Sequence, residues 1–395
     1  MKWETVRLGD IADFSNGLNF DKSAYSNGIK LIGVSNFGNR FSPDFSELSE
    51  VSAEVVREAD LLQKGDIVFV RSNGNKELVG RCMLIAKATE PVTYSGFVIR
   101  CRIHNPQKYD PVFFTYHFKN KAFRQAMAGT AVGANIQNLS QGRLFSYAAF
   151  IPDTDSQHRI AGILSAYDNL IENNQKQIKL LEEAAQRLYK EWFIDLRFPG
   201  HESTPIHDGI PAGWERKTLG EIANIVMGQS PKSEYYNTES QGLPFHQGVG
   251  SYGNRFVVDD VYSTSFTRIA EAGSILFSVR APVGRLNITR NEIVIGRGIA
   301  AMNHKEGLQS LLFYMLKERF FKDNLVGNGS IFASISKDEL LGQSFIFPAS
   351  SIALLYNNIA CTIDKKIEAG DEEIQKLIEA RDRLLPKLMS GEIEV

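Results

Sequence analysis

The sequence predicts an α+β fold: two mixed α/β domains, separated by two long antiparallel helices that form a coiled coil, arranged as a pseudo-two-fold internal repeat. Three observations predict it. The openings of the two halves match, Trp3, Glu4, Leu8, Gly9, Ile11, Ala12 and Gly17 recurring as Trp214, Glu215, Leu219, Gly220, Ile222, Ala223 and Gly228. The ends match as well, Asp168, Ile171, Glu172, Ile178, Leu181, Ala184, Arg187 and Leu188 recurring as Asp364, Ile367, Glu368, Ile374, Leu377, Ala380, Arg383 and Leu384. Between these fixed ends the interiors diverge, so the frame is duplicated while its contents are not. A unit this long is no solenoid repeat.

In chain order, residues 1–152 form the first globular domain. Its Gly65-Asp66-Ile67-Val68-Phe69-Val70-Arg71 run reads as a strand leaving a turn, being short, β-branched and aromatic. A helical patch follows from Phe113 to Ala128, then a small polar loop from Gly129 to Asn138, then an apolar strand ending at Pro152. Residues 153–195 form a long helix, with apolar positions Ile160, Ile163, Tyr167 and Leu170, then Ile178, Leu181, Ala185, Leu188 and Trp192. Spacing that alternates three and four is a heptad seam. A linker over 196–213 is punctuated by Pro199, Gly200, Pro205, Gly209, Pro211 and Gly213. The second domain, 214–348, repeats the plan with the strand Gly273–Arg280, the patch Leu311–Leu325, the loop Gly327–Ser336 and a strand ending at Pro348. The last segment, 349–395, carries the second seam: Ile352, Leu355, Ile359, Ile363 and Ile367, then Ile374, Leu377, Leu384 and Leu388.

Asn174 and Gly370 interrupt the two seams at matching places. A helix of about 35 residues spans roughly 50 Å and cannot bury its stripe alone. Two such helices in one chain pair with each other, and a pseudo-two-fold axis makes them antiparallel. Asn174 then lies in or beside the seam, where a polar residue fixes register.

Composition narrows the function. Apolar residues make up 43% and charged residues 23%, ordinary for a soluble globular protein. No apolar run approaches the 18 or so residues of a membrane span. Three scattered cysteines, Cys82, Cys101 and Cys361, exclude a disulfide framework and a cysteine-rich zinc site, which points to the cytoplasm. The net charge of −2 is unevenly spread: residues 1–150 hold 18 Lys and Arg against 14 acids, and 214–350 hold 14 against 13. The acid sits on the helical segments, and the interiors lean basic, a modest footprint for nucleic acid. No glycine-rich dinucleotide or phosphate loop occurs. Asn105-Pro106 lacks the second proline and aromatic of an adenine-flipping methyltransferase. Asp153/Asp155 and Asp259/Asp260 lack the Glu-x-Lys partner of a metal nuclease, and His201 and His207 read as solvent-facing loop residues. No catalytic residue and no metal ligand is assigned.

With these elements in place, the chain resembles the DNA specificity subunit of type I restriction–modification enzymes. Leu188-Tyr189-Lys190-Glu191-Trp192-Phe193-Ile194-Asp195 is similar to that family's central conserved region. Leu384-Leu385-Pro386-Lys387-Leu388-Met389-Ser390-Gly391-Glu392-Ile393 is similar to its distal one. Trp3–Ala12 and Trp214–Ala223 resemble the start of its target-recognition domains, and Gly228-Gln229-Ser230-Pro231 and Ile67–Asn75 resemble recurrent recognition-domain motifs. The resemblance covers essentially the whole chain. It implies a non-catalytic subunit that binds double-stranded DNA, each recognition domain reading one half of an asymmetric bipartite site and the helices setting the gap. It also implies two docked methyltransferase subunits and further motor–nuclease subunits, with S-adenosylmethionine, ATP and Mg²⁺ held by those partners and no cofactor by this chain. Two alternatives stand beside it: a coiled-coil adaptor whose interiors bind protein, and a solitary specificity subunit serving methylation only.

Candidate DNA-reading residues follow. Arg71, Asn73, Asn75 and Lys76 lie in the loop after the first strand; Arg fits guanine and Asn fits adenine in a bidentate way. A solvated glycine turn is the alternative. Arg81 is a phosphate candidate, and Asn135 and Gln137 lie in the later loop. In the second domain Arg280, Arg285 and Arg297 hold comparable places, with Gln229, Ser230, His246 and Gln247 as loop candidates and Ser334 in the later loop. Tyr235 could stack or touch the backbone, or form a half-buried pair with Tyr236. The helix pairing and subunit docking are expected to use Ile163, Tyr167, Asn174, Ile178, Leu181, Leu188 and Trp192, with Ile359, Ile363, Ile367, Ile374, Leu377, Leu384 and Leu388.

Overall fold

A computed structural model of the chain describes residues 2–38, 40–75, 77–128, 137–320 and 334–395. These fall into two compact units, Met1–Gln175 with Glu372–Val395, and Lys176–Asp371. The divisions fall inside the long helices rather than in the linker, because each helix end packs on its own globular part.

In the first unit, Ile67–Val70 is buried at every position. A strand covered on both faces reads as an unbroken apolar run. Its side chains alternate between two cores: Ile67 and Phe69 join one with Phe113, Phe114 and Phe118, while Val68 and Val70 join another with Ile32, Val92 and Tyr94. The strand lies in a four-stranded antiparallel sheet, ordered Ala12–Asn16, Val98–Ile103, Ile67–Val70, Cys82–Leu84. A second sheet pairs Ile29–Ile32 antiparallel with Ser49–Val51 and parallel with Val92–Tyr94. Trp3–Arg7 pairs with Ala148–Pro152. The expected helical patch is two helices, Pro111–Lys119 and Lys121–Ala128, broken where Asn120 takes an extended backbone. The first starts on Asp110, whose carboxylate accepts from Val112 N, with Pro111 at the first helical position.

The second unit repeats this plan. Ala223–Met227, Ile299–His304, Ile275–Ser278 and Leu286–Ile288 form the equivalent four-stranded sheet in the same order. Leu243–His246 runs parallel to Ile293–Ile295, as Ile29–Ile32 does to Val92–Tyr94. The Gln309–Phe320 helix covers this sheet, and Leu311–Leu316 are all buried. The expected extension of that helix to Leu325 lies outside the described residues.

The two long helices are Thr154–Phe193 and Ser350–Ser390, each unbroken at Asn174 and Gly370. Asp153 caps the first, accepting from Lys2 N and Ser156 N, and these N–H groups hold its carboxyl down at about 2. Within the first unit Ile160 and Leu164 share a core with Leu388, and Asp168 accepts from Arg381 at 2.5 Å. Within the second, Tyr356 Oη donates to Ala185 O at 3.0 Å, and Ile178 lies against Gly370. Residue numbers rise along one helix as they fall along its partner, so the pairing is antiparallel in each unit. Asn174 is half-buried beside this pairing.

The expected seam needs correction in detail. Ile367, Ile374, Leu388 and Trp192 are buried, and Ile163, Tyr167, Ile178, Leu181, Leu188, Ile363, Leu377 and Leu384 are half-buried. Leu170, Leu355 and Ile359 are exposed, at 48, 42 and 37%. Their neighbours Ile171, Tyr356 and Ala360 take the buried places. Each helix packs against a globular body as well as its partner, so more than one stripe is covered and no single heptad seam describes it. Among the described residues no helix is long and apolar enough to cross a membrane.

The linker is also more structured than its composition suggests. Phe198 is buried against Trp214 at 4.9 Å. Asp208-Gly209, both at positive φ, turn a two-residue hairpin between Ile206–His207 and Ile210–Pro211. His201 and His207 are exposed, as expected.

Candidate nucleic-acid interface

In both units the strand that crosses the two cores runs out into a polar edge. In the first, Ser72–Asn73 pairs with Gln137–Asn138. Asn73 and Asn75 stack two side-chain turns: Asn73 Oδ1 accepts from Asn75 N at 2.8 Å, and Asn75 Oδ1 from Glu77 N at 3.0 Å. Each side-chain carbonyl oxygen thus already accepts one backbone N–H. Arg71 is half-buried and donates through Nη1 to Gly96 O at 3.1 Å. Among the described residues, no carboxylate lies within 4 Å of Arg71 or Arg81. Arg81 is half-buried beyond the same turn. Lys76 and Asn135 lie outside the described residues, and Gln137 is placed by its backbone pairing with Asn73.

In the second unit the edge gathers Gln229, Ser230, Gln247, Arg280 and Arg297. Ser230 Oγ donates to Gln247 Oε1 at 2.9 Å and accepts from Arg297 N at 3.3 Å. Gln247, Arg280 and Arg297 line one pocket with Ser278 and Gly298. Arg280 and Arg297 are exposed, with no carboxylate within 4 Å among the described residues. Arg285 is exposed just before the neighbouring strand Leu286–Ile288, where its carbonyl accepts from Ser278 N at 2.9 Å. Arg280 bridges to Ser334, which is exposed. Tyr235 is 41% exposed, while Tyr236 stacks on Phe245 at 4.6 Å and donates to Pro231 O; the two do not act as a pair.

Two expectations change. His246 ends a strand rather than sitting in a loop, and it is fully buried. Its Nδ1 meets Ser251 Oγ at 2.7 Å and its Nε2 meets Asp259 at 2.9 Å. Burial pushes the imidazole pKa down, against the pull of Asp259. His246 therefore braces the turn that carries Gln247. In the first unit Gly33 N donates to Asn36 Oδ1 at the matching turn.

The second change is register. Leu139 N donates to Arg71 O as Ile335 N does to Val279 O, and Arg71 N donates to Phe97 O as Val279 N does to Gly298 O. Arg71 therefore matches Val279, and Arg280 matches Ser72. A one-residue slip turns a side chain to the other face of a strand. Gly96 correspondingly matches Arg297. The two edges share a backbone frame and place their cations at different points on it.

A family model described as the type I restriction modification DNA specificity domain matches residues 1–183 and 211–379. A Methanocaldococcus jannaschii protein assigned as the specificity subunit of the MjaX type I restriction enzyme is 30% identical over 406 residues, covering 100% of this chain and 94% of that protein. The HindI type I restriction enzyme specificity subunit of Haemophilus influenzae is 21% identical, covering 99% of each. The solved S subunit of a type I restriction-modification system from M. genitalium superposes with a TM-score of 0.60 at 18% identity, covering 98% of this chain and 96% of that one; this likeness is one of fold. The duplicated frame and the matched segments together place the chain in the family of type I restriction–modification DNA specificity subunits.

Proposed function

We propose that this chain reads DNA for a type I restriction–modification complex and catalyses nothing itself. Each globular domain reads one half of an asymmetric bipartite site. The paired helices set the gap between the halves and dock two methyltransferase subunits, which hold S-adenosylmethionine. Motor–nuclease subunits, using ATP and Mg²⁺, complete the restriction complex in the cytoplasm.

One observation carries this reading: matched positions on the two polar edges hold different side chains, Arg71 against Val279, Ser72 against Arg280 and Gly96 against Arg297. A common frame with distinct edge chemistry is what two readers of unlike half-sites need. Arg280 and Arg297, exposed and without a carboxylate within 4 Å among the described residues, keep their forks free for guanine or phosphate, while Arg71 spends one N–H on Gly96 O and keeps the others.

The test is genome-wide adenine methylation in cells co-expressing the chain with its cognate methyltransferase subunit. The reading expects one asymmetric two-part motif with a fixed gap. A continuous motif would remove the two-reader arrangement. No motif despite a stable complex would turn the reading toward a protein adaptor. Binding to the motif should also weaken with log salt at a slope of about −0.9 per phosphate neutralised.

A further inference from the structure

The first unit carries an aromatic side chain at the same edge as Arg71. Phe97 is 57% exposed. A single exposed apolar residue is ordinary; its position is what sets this one apart. It sits in the turn Ser95-Gly96-Phe97, between the buried strands Val92–Tyr94 and Val98–Ile103. Val98 N closes that turn on Ser95 O at 2.9 Å. Arg71 holds it from the side, by its backbone N to Phe97 O at 2.8 Å and by its guanidinium to Gly96 O at 3.1 Å. A Cβ at residue 96 would come within 2.1 Å of Asn19 Oδ1, so glycine there lets the turn pack closely. The ring is therefore offered to solvent on a braced backbone, beside a cation. No other aromatic ring packs on it among the described residues.

The matching turn of the second unit is Gly296-Arg297-Gly298, closed by Ile299 N on Gly296 O at 3.0 Å. Its apex carries Arg297, exposed and without a carboxylate within 4 Å among the described residues, and no aromatic. The same turn is thus apolar in one reader and cationic in the other. In the major groove an apolar side chain meets the C5-methyl of thymine, whereas arginine meets guanine.

We propose that Phe97 is a specificity-determining residue of the first half-site, packing its ring on a thymine methyl group in the major groove next to the base pair read by Arg71. This rests on the DNA-reading function proposed above. The ring needs no rearrangement to make the contact, because the turn already holds it outward.

The test uses the complex of this chain with its methyltransferase subunits, bound to a duplex carrying its own methylation motif. Thymines of the first half-site are replaced one at a time by deoxyuridine, which removes only the methyl group. For the parent, one replacement is expected to weaken binding about fourfold, the worth of one buried methyl. F97A is expected to weaken binding to the thymine duplex by at least as much and to lose its response to that replacement. F97L should fall between them, and binding to second half-site variants should not change. Indifference of the parent to every replacement, a first half-site without thymine, or an F97A complex that still senses the methyl would each overturn the proposal. So would equal weakening at both half-sites, which marks a structural role. Failure of the underlying reading looks different: the parent then yields no two-part motif at all.

Discussion

Arg255 offers the sharpest test of how the second unit is held together. It is 3% exposed, with its guanidinium stacked 3.7 Å over the Phe313 ring. Nη2 meets Asp364 at 2.5 Å, and Nη1 lies 3.5 Å from Glu182. Asp364 also accepts from Tyr314 Oη at 2.8 Å. The globular body thus grips both long helices through one cation. Arg255→Met keeps most of the side-chain volume and removes the charge. Breaking a fully buried pair costs about 3–5 kcal/mol. Both carboxylates are partly exposed, 21 and 24%, so water recovers some of that. Losing the stacked cation adds about 1 kcal/mol, which a Met sulfur against the ring partly restores. A net loss of about 2–3 kcal/mol results. The assay is urea unfolding followed by tryptophan fluorescence in a Trp3→Phe background. The remaining tryptophans, Trp192 and Trp214, both lie in this unit. At a slope of about 1–3 kcal/mol per molar urea, the midpoint should fall by about 0.7–3 M. A cycle with Asp364→Asn should show coupling of about 1–3 kcal/mol. A midpoint within about 0.2 M of the parent, or independent effects in the cycle, would refute the argument that this ion pair clamps the body to the helices.

Arg71→Ala should relax one base position of the first half-site at a cost of about 1–3 kcal/mol; methylation of the parent motif alone, at unchanged rate, would count against that role. Gly228→Ala places a Cβ 2.1 Å from Gly296 O, a backbone atom that cannot step aside. It should cost about 1–3 kcal/mol by overpacking and weaken the second half-site but not the first; an unchanged melting temperature would dismiss the close approach. His117 is buried, and burial lowers its pKa from 6.5 to about 4. The unfolded chain then binds the proton more readily between those values, so the stability from the neutral imidazole is complete above pH 6.5 and is lost as pH falls toward 4. The loss reaches up to about 3 kcal/mol. His117→Phe should flatten this slope in pH-dependent unfolding, and identical slopes for parent and variant would reject it.

Where structure depends on neighbours along the chain, it was legible in the residues. The duplicated openings, the strands Ile67–Val70 and Ile275–Ser278, and the starts of the long helices just after Pro152 and Pro348 all follow from local pattern, because apolar alternation, turn residues and caps act over a few positions. The α+β class and the repeat follow from them. Tertiary structure alone decided which side chains meet. Both halves place a tyrosine on an aspartate, Tyr116 on Asp168 and Tyr314 on Asp364. The arginine completing each cluster comes from Arg381 on a helix in one and from Arg255 in the globular body in the other. These partners lie 213 and 109 residues apart, and no spacing rule links them. The burial of His246 and the mismatch of Arg71 with Arg280 have the same origin. A strand's alternation says which residues share a face, but which residue stands at the edge is set by the hydrogen bonds a distant segment makes to it.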